Sequence, residues 1–113
     1  MSRLMKTSTR ELPGTTIVDV TGDIDMSASP GFRKTLLESL SKTPRLAVNL
    51  SNVRYVDSSG IASLVEVLQA ARKAEKRLVL FGLNAPVQEV LQLTRLAKIF
   101  EIRKTEQEAI EAS

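Results

Sequence analysis

An α/β (α+β) fold built on a mixed β-sheet is what this sequence predicts. After an opening hairpin, stretches with strand patterns alternate with stretches with helix patterns along the chain. The chain has 113 residues, which suffice for one buried core but not for two ordinary domains. We therefore expect a single domain over residues 1–113, with about four to five strands flanked by about four α-helices.

The first quarter of the chain predicts a β-hairpin. Residues 4–10 alternate imperfectly between apolar and polar side chains, and the Leu-Pro-Gly sequence at 12–14 is a turn signal. Residues 15–21 contain three β-branched aliphatic side chains that suit a half-buried strand. Gly22 is predicted to end this second strand.

The first helix is predicted to follow a short acidic loop. Ser27 or Ser29 is expected to cap its N-terminus, with Pro30 in its first turn. Apolar side chains then recur at helical spacing at Phe32, Leu36, Leu37 and Leu40. A buried strand is predicted at 46–50, and residues 51–56 are predicted to form a loop.

The second half of the chain predicts three helices separated by two strands. The first of these helices begins at Ser58, and its apolar stripe contains Ile61, Leu64, Val65, Leu68 and Ala71. The unbroken apolar run at 78–81 predicts a strand that is covered on both faces. Asn84 is expected to cap the next helix, residues 99–102 predict a short strand, and residues 105–113 predict a charged helix.

The composition excludes several functional classes. The chain has no Cys and no His, which rules out thiolate nucleophiles, histidine bases and the usual zinc sites, and we predict no metal and no cofactor. The net charge is only +3 and the chain has one Tyr and no Trp, so a nucleic-acid partner is not expected. No segment approaches the roughly 18 apolar residues that a membrane span requires. We therefore predict a cytoplasmic protein without membrane contact.

The sequence Asp57-Ser58-Ser59-Gly60 raises the functional question. Asp57 is expected to cap the second helix by accepting hydrogen bonds from the backbone of Ser59 or Gly60, which would make the serines ordinary first-turn residues. Glycine inside a helix costs roughly 0.5–1 kcal/mol relative to alanine, so Gly60 indicates a close approach by another group, such as a partner. A helix N-terminus also attracts anions, which favours a phosphoserine. A catalytic serine would lack its usual base, because His and Cys are absent.

Four sequence segments point to a known family. They are T-G-D-I-D at 21–25, V-N-L-S-N-V at 48–53, Y-V-D-S-S-G-I-A-S-L at 55–64 and L-V-L-F-G-L-N at 78–84. In this order they resemble the STAS domain, most closely the stand-alone anti-sigma-factor antagonists, and the resemblance covers almost the whole chain. It implies a STAS-like mixed sheet flanked by helices, in a regulatory protein that is not an enzyme.

The resemblance also implies a serine switch. By motif position the phosphorylated residue is Ser58, with Ser59 as the alternative. The expected partner is an anti-sigma factor that is also a serine protein kinase, with a serine phosphatase as a further candidate. The unphosphorylated chain would bind this partner and release the sigma factor, and phosphorylation would block the binding.

Further residues complete this predicted site. The residues that support the phosphorylation site are Asp57, Gly60, Asp25 and Asp23. The expected partner contacts are Ser59, Ile61, Ser63 and Glu66. Helical periodicity places Ser63 and Glu66 on the solvent face, whereas Ile61 also belongs to the apolar stripe. Asp23 is equally compatible with an ordinary solvated carboxylate at a strand end.

Other functions share some of these features. A STAS subunit of a lipid-transport ABC system, or a scaffold in a stress-signalling complex, would have the same fold. A serine-dependent transferase and a nucleotide-binding module are rivals of a different class. The absence of His, Cys and a glycine-rich phosphate loop argues against the transferase. The nucleotide-binding module stays an alternative, because helix N-termini attract phosphates in general.

Overall fold

The computed structural model of the chain describes residues 4–111. Within that range the elements are β1 (Lys6–Leu12), β2 (Thr15–Ile24), α1 (Ser29–Leu40), β3 (Arg45–Val56), α2 (Ser58–Lys73), β4 (Arg77–Phe81), α3 (Ala85–Leu93), β5 (Glu101–Arg103) and α4 (Glu106–Glu111). The strands form one sheet in the order β1-β2-β3-β4-β5, in which β1 is antiparallel to β2 and the other pairs are parallel. The predicted mixed sheet with four flanking helices is confirmed.

The two faces of the sheet are covered unequally. Helices α1, α2 and α3 pack on one face, because each connects two parallel strands and returns the chain over the same side. That face holds the main core, whose largest buried side chains include Phe32, Leu36, Leu64, Leu80 and Leu91. Among the described elements, α4 alone packs on the opposite face, over a smaller cluster of Ile17, Ala47, Val79, Phe81 and Ala109.

Two predicted strand boundaries were wrong. β2 does not end at Gly22 but continues to Ile24, and β3 extends through the predicted loop at 51–56. Two register shifts between β2 and β3 explain the error, because they mark β-bulges that break the regular alternation of side chains. In this half of β3 only every third side chain is buried, at Leu50, Val53 and Val56.

The C-terminal elements agree with the predictions apart from their ends. Asn84 caps α3 as expected, since its side chain accepts a hydrogen bond from the backbone N–H of Val87. The last strand begins two residues later and ends one residue later than predicted, at Glu101–Arg103. Helix α4 covers Glu106–Glu111, and residues 112 and 113 of the predicted helix lie outside the described residues.

Gly60 allows α2 to begin in direct contact with the sheet. A Cβ atom at this position would lie 2.6 Å from Cγ2 of Val56 and 2.8 Å from Cγ2 of Ile24. These two side chains end β3 and β2, so the close approach indicated by the sequence is an internal contact and not a contact with a partner. The missing side chain therefore fixes where the N-terminus of α2 sits against the strand ends.

We predict that Gly60→Ala destabilises the fold by about 1–3 kcal/mol, because the added methyl group overpacks the Val56 and Ile24 contacts. Gly31→Ala in the first turn of α1 is the matched control, because a Cβ there meets no atom within 4 Å. This control should stabilise the protein by about 0.5–1 kcal/mol. Urea unfolding measures both changes, and equal effects at the two glycines would contradict the packing argument.

Candidate functional site

Three helices begin at the same edge of the sheet. Helices α1, α2 and α3 each follow the carboxyl end of one of the neighbouring parallel strands β2, β3 and β4. The side chain of Asn84, at the start of α3, donates a hydrogen bond to the carbonyl of Val53 on β3 and ties the third helix to this edge. Because each helix N-terminus carries a partial positive charge, this edge favours negatively charged groups.

Asp57 caps the second of these helices. Its Oδ1 atom accepts hydrogen bonds from the backbone N–H of Ser59 at 2.9 Å and of Gly60 at 3.2 Å. The hydroxyl of Ser59 donates a third bond to the same oxygen at 2.5 Å. The predicted capping role of Asp57 is confirmed, and one carboxylate oxygen takes all three of these bonds.

The environment of Asp57 favours its charged form. Burial raises the pKa of this carboxyl, but the hydrogen bonds from the Ser59 hydroxyl and from the backbone of Gly60 and Ser59 together outweigh that effect. The negative charge of Asp25 acts in the opposite direction and raises the pKa. The net result is an Asp57 pKa below its ordinary value, so the carboxylate is ionised at neutral pH.

The two adjacent serines differ in what their hydroxyls contact. The Ser59 hydroxyl is half-buried and lies between Asp57 and the Ser29 hydroxyl of α1, with 2.7 Å between the two serine oxygens. Ser58 is exposed, and its hydroxyl makes no hydrogen bond within residues 4–111. Only Ser58 therefore presents a free hydroxyl to solvent at the start of α2.

Asp25 organises the start of α1. Its carboxylate accepts hydrogen bonds from the Ala28 backbone N–H at 3.0 Å and from the Ser27 hydroxyl at 2.8 Å. The prediction that Ser27 or Ser29 caps α1 was wrong: Ala28 occupies the cap position without a side-chain bond, and Ser29 is the first helical residue. The side chain of Asp25 binds the backbone there instead. The Ser27 hydroxyl is used by the same carboxylate, and the Ser29 hydroxyl lies within hydrogen-bond distance of the Asp25 carbonyl and of Ser59.

Asp23 lies near the end of β2 and is half-buried. In the β2–β3 pairing it stands opposite Tyr55. Its side chain contributes to an open cavity of about 260 Å³ in front of α1, whose lining also includes Asp25, Ser27 and Gly31. Asp23 therefore belongs to the same edge as the capped helices, although its carboxylate is not among the groups that shift the pKa of Asp57.

Two of the predicted partner contacts are not on the surface. Ile61 is only 5% exposed and Ser63 only 2%, whereas Glu66 is exposed and pairs with Arg33 of α1 at 3.4 Å. The placement of Ser63 on the solvent face was wrong because α2 packs against both the sheet and α1, which buries a wider stripe than one packing surface would. The buried Ser63 hydroxyl donates to the backbone carbonyl of Ser59 at 3.1 Å.

The solvent face of α2 includes Ala62, which sequence reasoning missed. The exposed stripe contains Ser58, Ala62, Glu66 and Gln69. Two large apolar side chains near the site were also missed, namely Met26, which is 76% exposed, and Tyr55, which is 51% exposed. The position of Met26 between the polar loop residues Asp25 and Ser27 was a usable signal that its side chain is exposed. Tyr55 gave none, because its outward orientation depends on the bulged pairing of β3.

Residues 4–111 contain no cluster of three or more His, Cys, Asp or Glu side chains arranged to hold a metal ion. No helix in the described part of the chain is long and apolar enough to cross a membrane.

The family model and the curated relatives point to one family, and the solved structures share the fold. The family model of the STAS domain matches residues 6–109. An anti-sigma-B factor antagonist of Listeria monocytogenes is 31% identical over 90 residues, which cover 79% of this chain and 79% of that protein. A crystal structure of an anti-sigma factor antagonist from Mycobacterium paratuberculosis superimposes with a TM-score of 0.88 at 24% identity, covering 96% of this chain and 93% of that one. The phosphorylated form of the Bacillus cell fate determinant SpoIIAA has a TM-score of 0.71 at 18% identity, covering 94% and 97%.

We predict that the stabilising effect of Asp57 depends on pH. Because its pKa is lowered by folding, its contribution is complete above the ordinary value of 3.8 and is lost as the pH falls through the lower value of the folded state. Asp57→Asn keeps a capping oxygen but removes this titration. The stability difference between the two proteins should therefore shrink as the pH falls below 3.8, and urea unfolding at a series of pH values measures it. A difference that does not vary with pH would contradict the prediction.

Proposed function

The chain belongs to the STAS domain family, and we propose that it is an anti-sigma-factor antagonist that is switched by phosphorylation of Ser58. In the unphosphorylated state it binds an anti-sigma factor that is also a serine protein kinase, which frees the sigma factor. Transfer of phosphate to Ser58 ends that binding, and a serine phosphatase resets the switch. The role requires a cytoplasmic location, because sigma factors act on transcription there.

The observation that carries this proposal is the difference between the two serines. Ser58 is exposed at the positive end of α2, and its hydroxyl is free of hydrogen bonds within residues 4–111. Ser59 is held by Asp57 and by Ser29. A kinase must reach the oxygen that it modifies, so the geometry favours Ser58 over its neighbour. The relatives support the direction of the proposal: the Listeria protein is named an antagonist, and SpoIIAA is described in a phosphorylated form.

In this proposal the chain accepts the phosphoryl group and does not catalyse its transfer. It contains no His and no Cys, so no side chain of the usual kind is available to activate Ser58 as a nucleophile. The phosphoryl group therefore comes from a nucleoside triphosphate held by the kinase partner. What the chain contributes is an accessible hydroxyl at a helix N-terminus, where the added charge is tolerated.

The partner surface surrounds Ser58. Ala62 and Glu66 continue the exposed side of α2, and Met26 and Tyr55 provide large exposed apolar side chains beside the strand ends. Ile61 and Ser63 are buried and are not part of this surface. Because several carboxylates line the same edge, the complementary face of the kinase would combine apolar contacts with basic groups.

The free energies explain why binding changes while the fold persists. A phosphate carries about 1.5 to 2 negative charges, and a helix N-terminus stabilises it by roughly 0.3–1 kcal/mol. In a closed interface the same group would be enclosed beside the ionised Asp57. Burying charge in this way costs several kcal/mol, which corresponds to a loss of affinity on the order of a hundredfold or more.

We predict that the protein isolated from its native host carries phosphate on Ser58. Tandem mass spectrometry of the tagged chain locates the group, and the Ser58→Ala variant expressed in the same cells is the control. Loss of all phosphate in this variant supports the assignment. Phosphate on Ser59 in the wild-type chain, or no phosphate on either serine under growth and stress conditions, would contradict it.

We also predict that two substitutions of Ser58 differ in their effect on binding to the purified kinase partner from the same genome. Ser58→Ala should bind like the unmodified protein, whereas Ser58→Asp should bind on the order of tenfold to a hundredfold more weakly because it adds a charge to the interface. Calorimetry measures the affinities, and thermal unfolding should show that both variants remain folded.

The control for this comparison is Ser41→Asp, which adds the same charge at an exposed serine beyond the other end of α1. It should leave the affinity unchanged. Equal affinities of Ser58→Asp and Ser58→Ala would overturn the electrostatic switch. Stable copurification with an ATPase subunit of a transporter, without binding to the kinase, would favour the other branch of the family.

A further inference from the structure

A chain of hydrogen bonds connects α1 to the cap of α2. The Ser29 hydroxyl lies 2.7 Å from the Ser59 hydroxyl, and the Ser59 hydroxyl lies 2.5 Å from Oδ1 of Asp57. At its other end, the Ser29 hydroxyl lies 2.8 Å from the backbone carbonyl of Asp25. Three short contacts therefore join the first turns of two helices that are about 30 residues apart in sequence.

The ionisation of Asp57 fixes the direction of these bonds. A serine hydroxyl has one proton to donate, and an ionised carboxylate can only accept. The Ser59 proton therefore points to Asp57, so the contact between the two serine oxygens is a hydrogen bond only if Ser29 donates. The resulting chain runs from Ser29 to Ser59 to Asp57, and each bond in such a chain strengthens the next one.

The Ser29 hydroxyl is not required at the start of its own helix. The Asp25 carbonyl already accepts hydrogen bonds from the backbone N–H groups of Ala28 and Ser29, at 3.1 and 2.9 Å. The Asp25 carboxylate supplies the side-chain contact to this turn. The Ser29 hydroxyl, on a residue that is only 4% exposed, has two acceptors within reach, the Asp25 carbonyl at 2.8 Å and the Ser59 hydroxyl oxygen at 2.7 Å. It has one proton to donate, and the two backbone N–H groups already occupy both lone pairs of the carbonyl, so this proton goes to Ser59. The functionally relevant hydrogen bond of the Ser29 hydroxyl is therefore the one to Ser59 of α2.

We propose that Ser29 is a positioning residue for the Asp57 carboxylate, which it holds in place and keeps ionised beside Ser58 by acting through Ser59. This inference rests on the proposed function, because Asp57 matters to regulation only if Ser58 is the switch. All three hydrogen bonds to Asp57 use Oδ1, and Oδ2 makes none within residues 4–111. Ser29 thereby keeps a charged oxygen uncommitted next to the residue that receives the phosphate.

This arrangement adds to the repulsion that switches binding. A phosphate on Ser58 would raise the pKa of the neighbouring Asp57 and favour its protonation, as the charge of Asp25 already does. The hydrogen bonds that converge on Oδ1 oppose this change. With the bond from Ser29 to Ser59 in place, Asp57 keeps its charge next to the phosphate, and both charges act against a partner that would enclose them.

The test is a titration of the Asp57 side-chain carboxyl carbon by NMR, using the full-length, carbon-13-labelled chain without any kinase. Ser59→Ala should raise the Asp57 pKa because it removes a direct bond. Ser29→Ala should raise it by a smaller amount. In the Ser59→Ala background the second substitution, Ser29→Ala, should have no further effect, because the two residues act in series. Ser39→Ala is the control, since it removes another buried hydroxyl of α1, from the other end of the helix.

Each outcome decides the proposal. A shift in Ser29→Ala that disappears in the Ser59→Ala background supports it. No shift in Ser29→Ala, the same shift in both backgrounds, or an equal shift in Ser39→Ala would overturn it, since the last two would indicate a general loosening of the structure. The absence of phosphate from Ser58 in the native host would instead overturn the proposed function, and the titration result would be unaffected.

Discussion

The parallel pairing of β2 with β3 is the interaction on which the site depends. Its register aligns Ile24 with Val56, so the residues that follow, Asp25 and Asp57, leave the sheet side by side. The next helices then start next to each other, and a hydrogen bond from the Asp57 backbone N–H to the Ile24 carbonyl joins the two strand ends. Without this register the capping carboxylates and serine hydroxyls would not meet, although each lies on a well-formed local element.

The carboxylates of Asp57 and Asp25 can share this edge because nearby hydrogen-bond donors stabilise the charge of each. Asp57 is stabilised by three hydrogen bonds at a helix N-terminus, and Asp25 is stabilised by a backbone N–H and a hydroxyl. The positive ends of three helices add a favourable background. Negative charge is therefore acceptable in the free molecule, where water reaches it. The same charge becomes costly only when another protein surface covers it, which is the physical basis of the proposed switch.

Local patterns in the sequence were sufficient for most of the fold and for the cap at Asp57, because hairpin turns, helix caps and apolar stripes are determined by residues close in sequence. The errors arose where elements that are distant in sequence determine which side chains are buried. The bulged half of β3 lacks alternation, and the buried position of Ser63 depends on α1 lying across α2. The distinction between Ser58 and Ser59 likewise required Ser29, which no short motif links to them.

The bulges in β3 also affect how the amino-acid sequence of the exposed surface of this strand can change during evolution. A regular strand of a sheet that is covered on both sides commits nearly every side chain to packing, whereas here only Leu50, Val53 and Val56 point into the core. The two residues between each pair of these positions are exposed immediately ahead of the Asp57 turn. Because these side chains are exposed, substitutions there change the surface of the strand that leads to the Asp57 turn with little effect on folding. Duplicated copies of such a gene can therefore acquire different partners through substitutions in one short segment while the scaffold is retained.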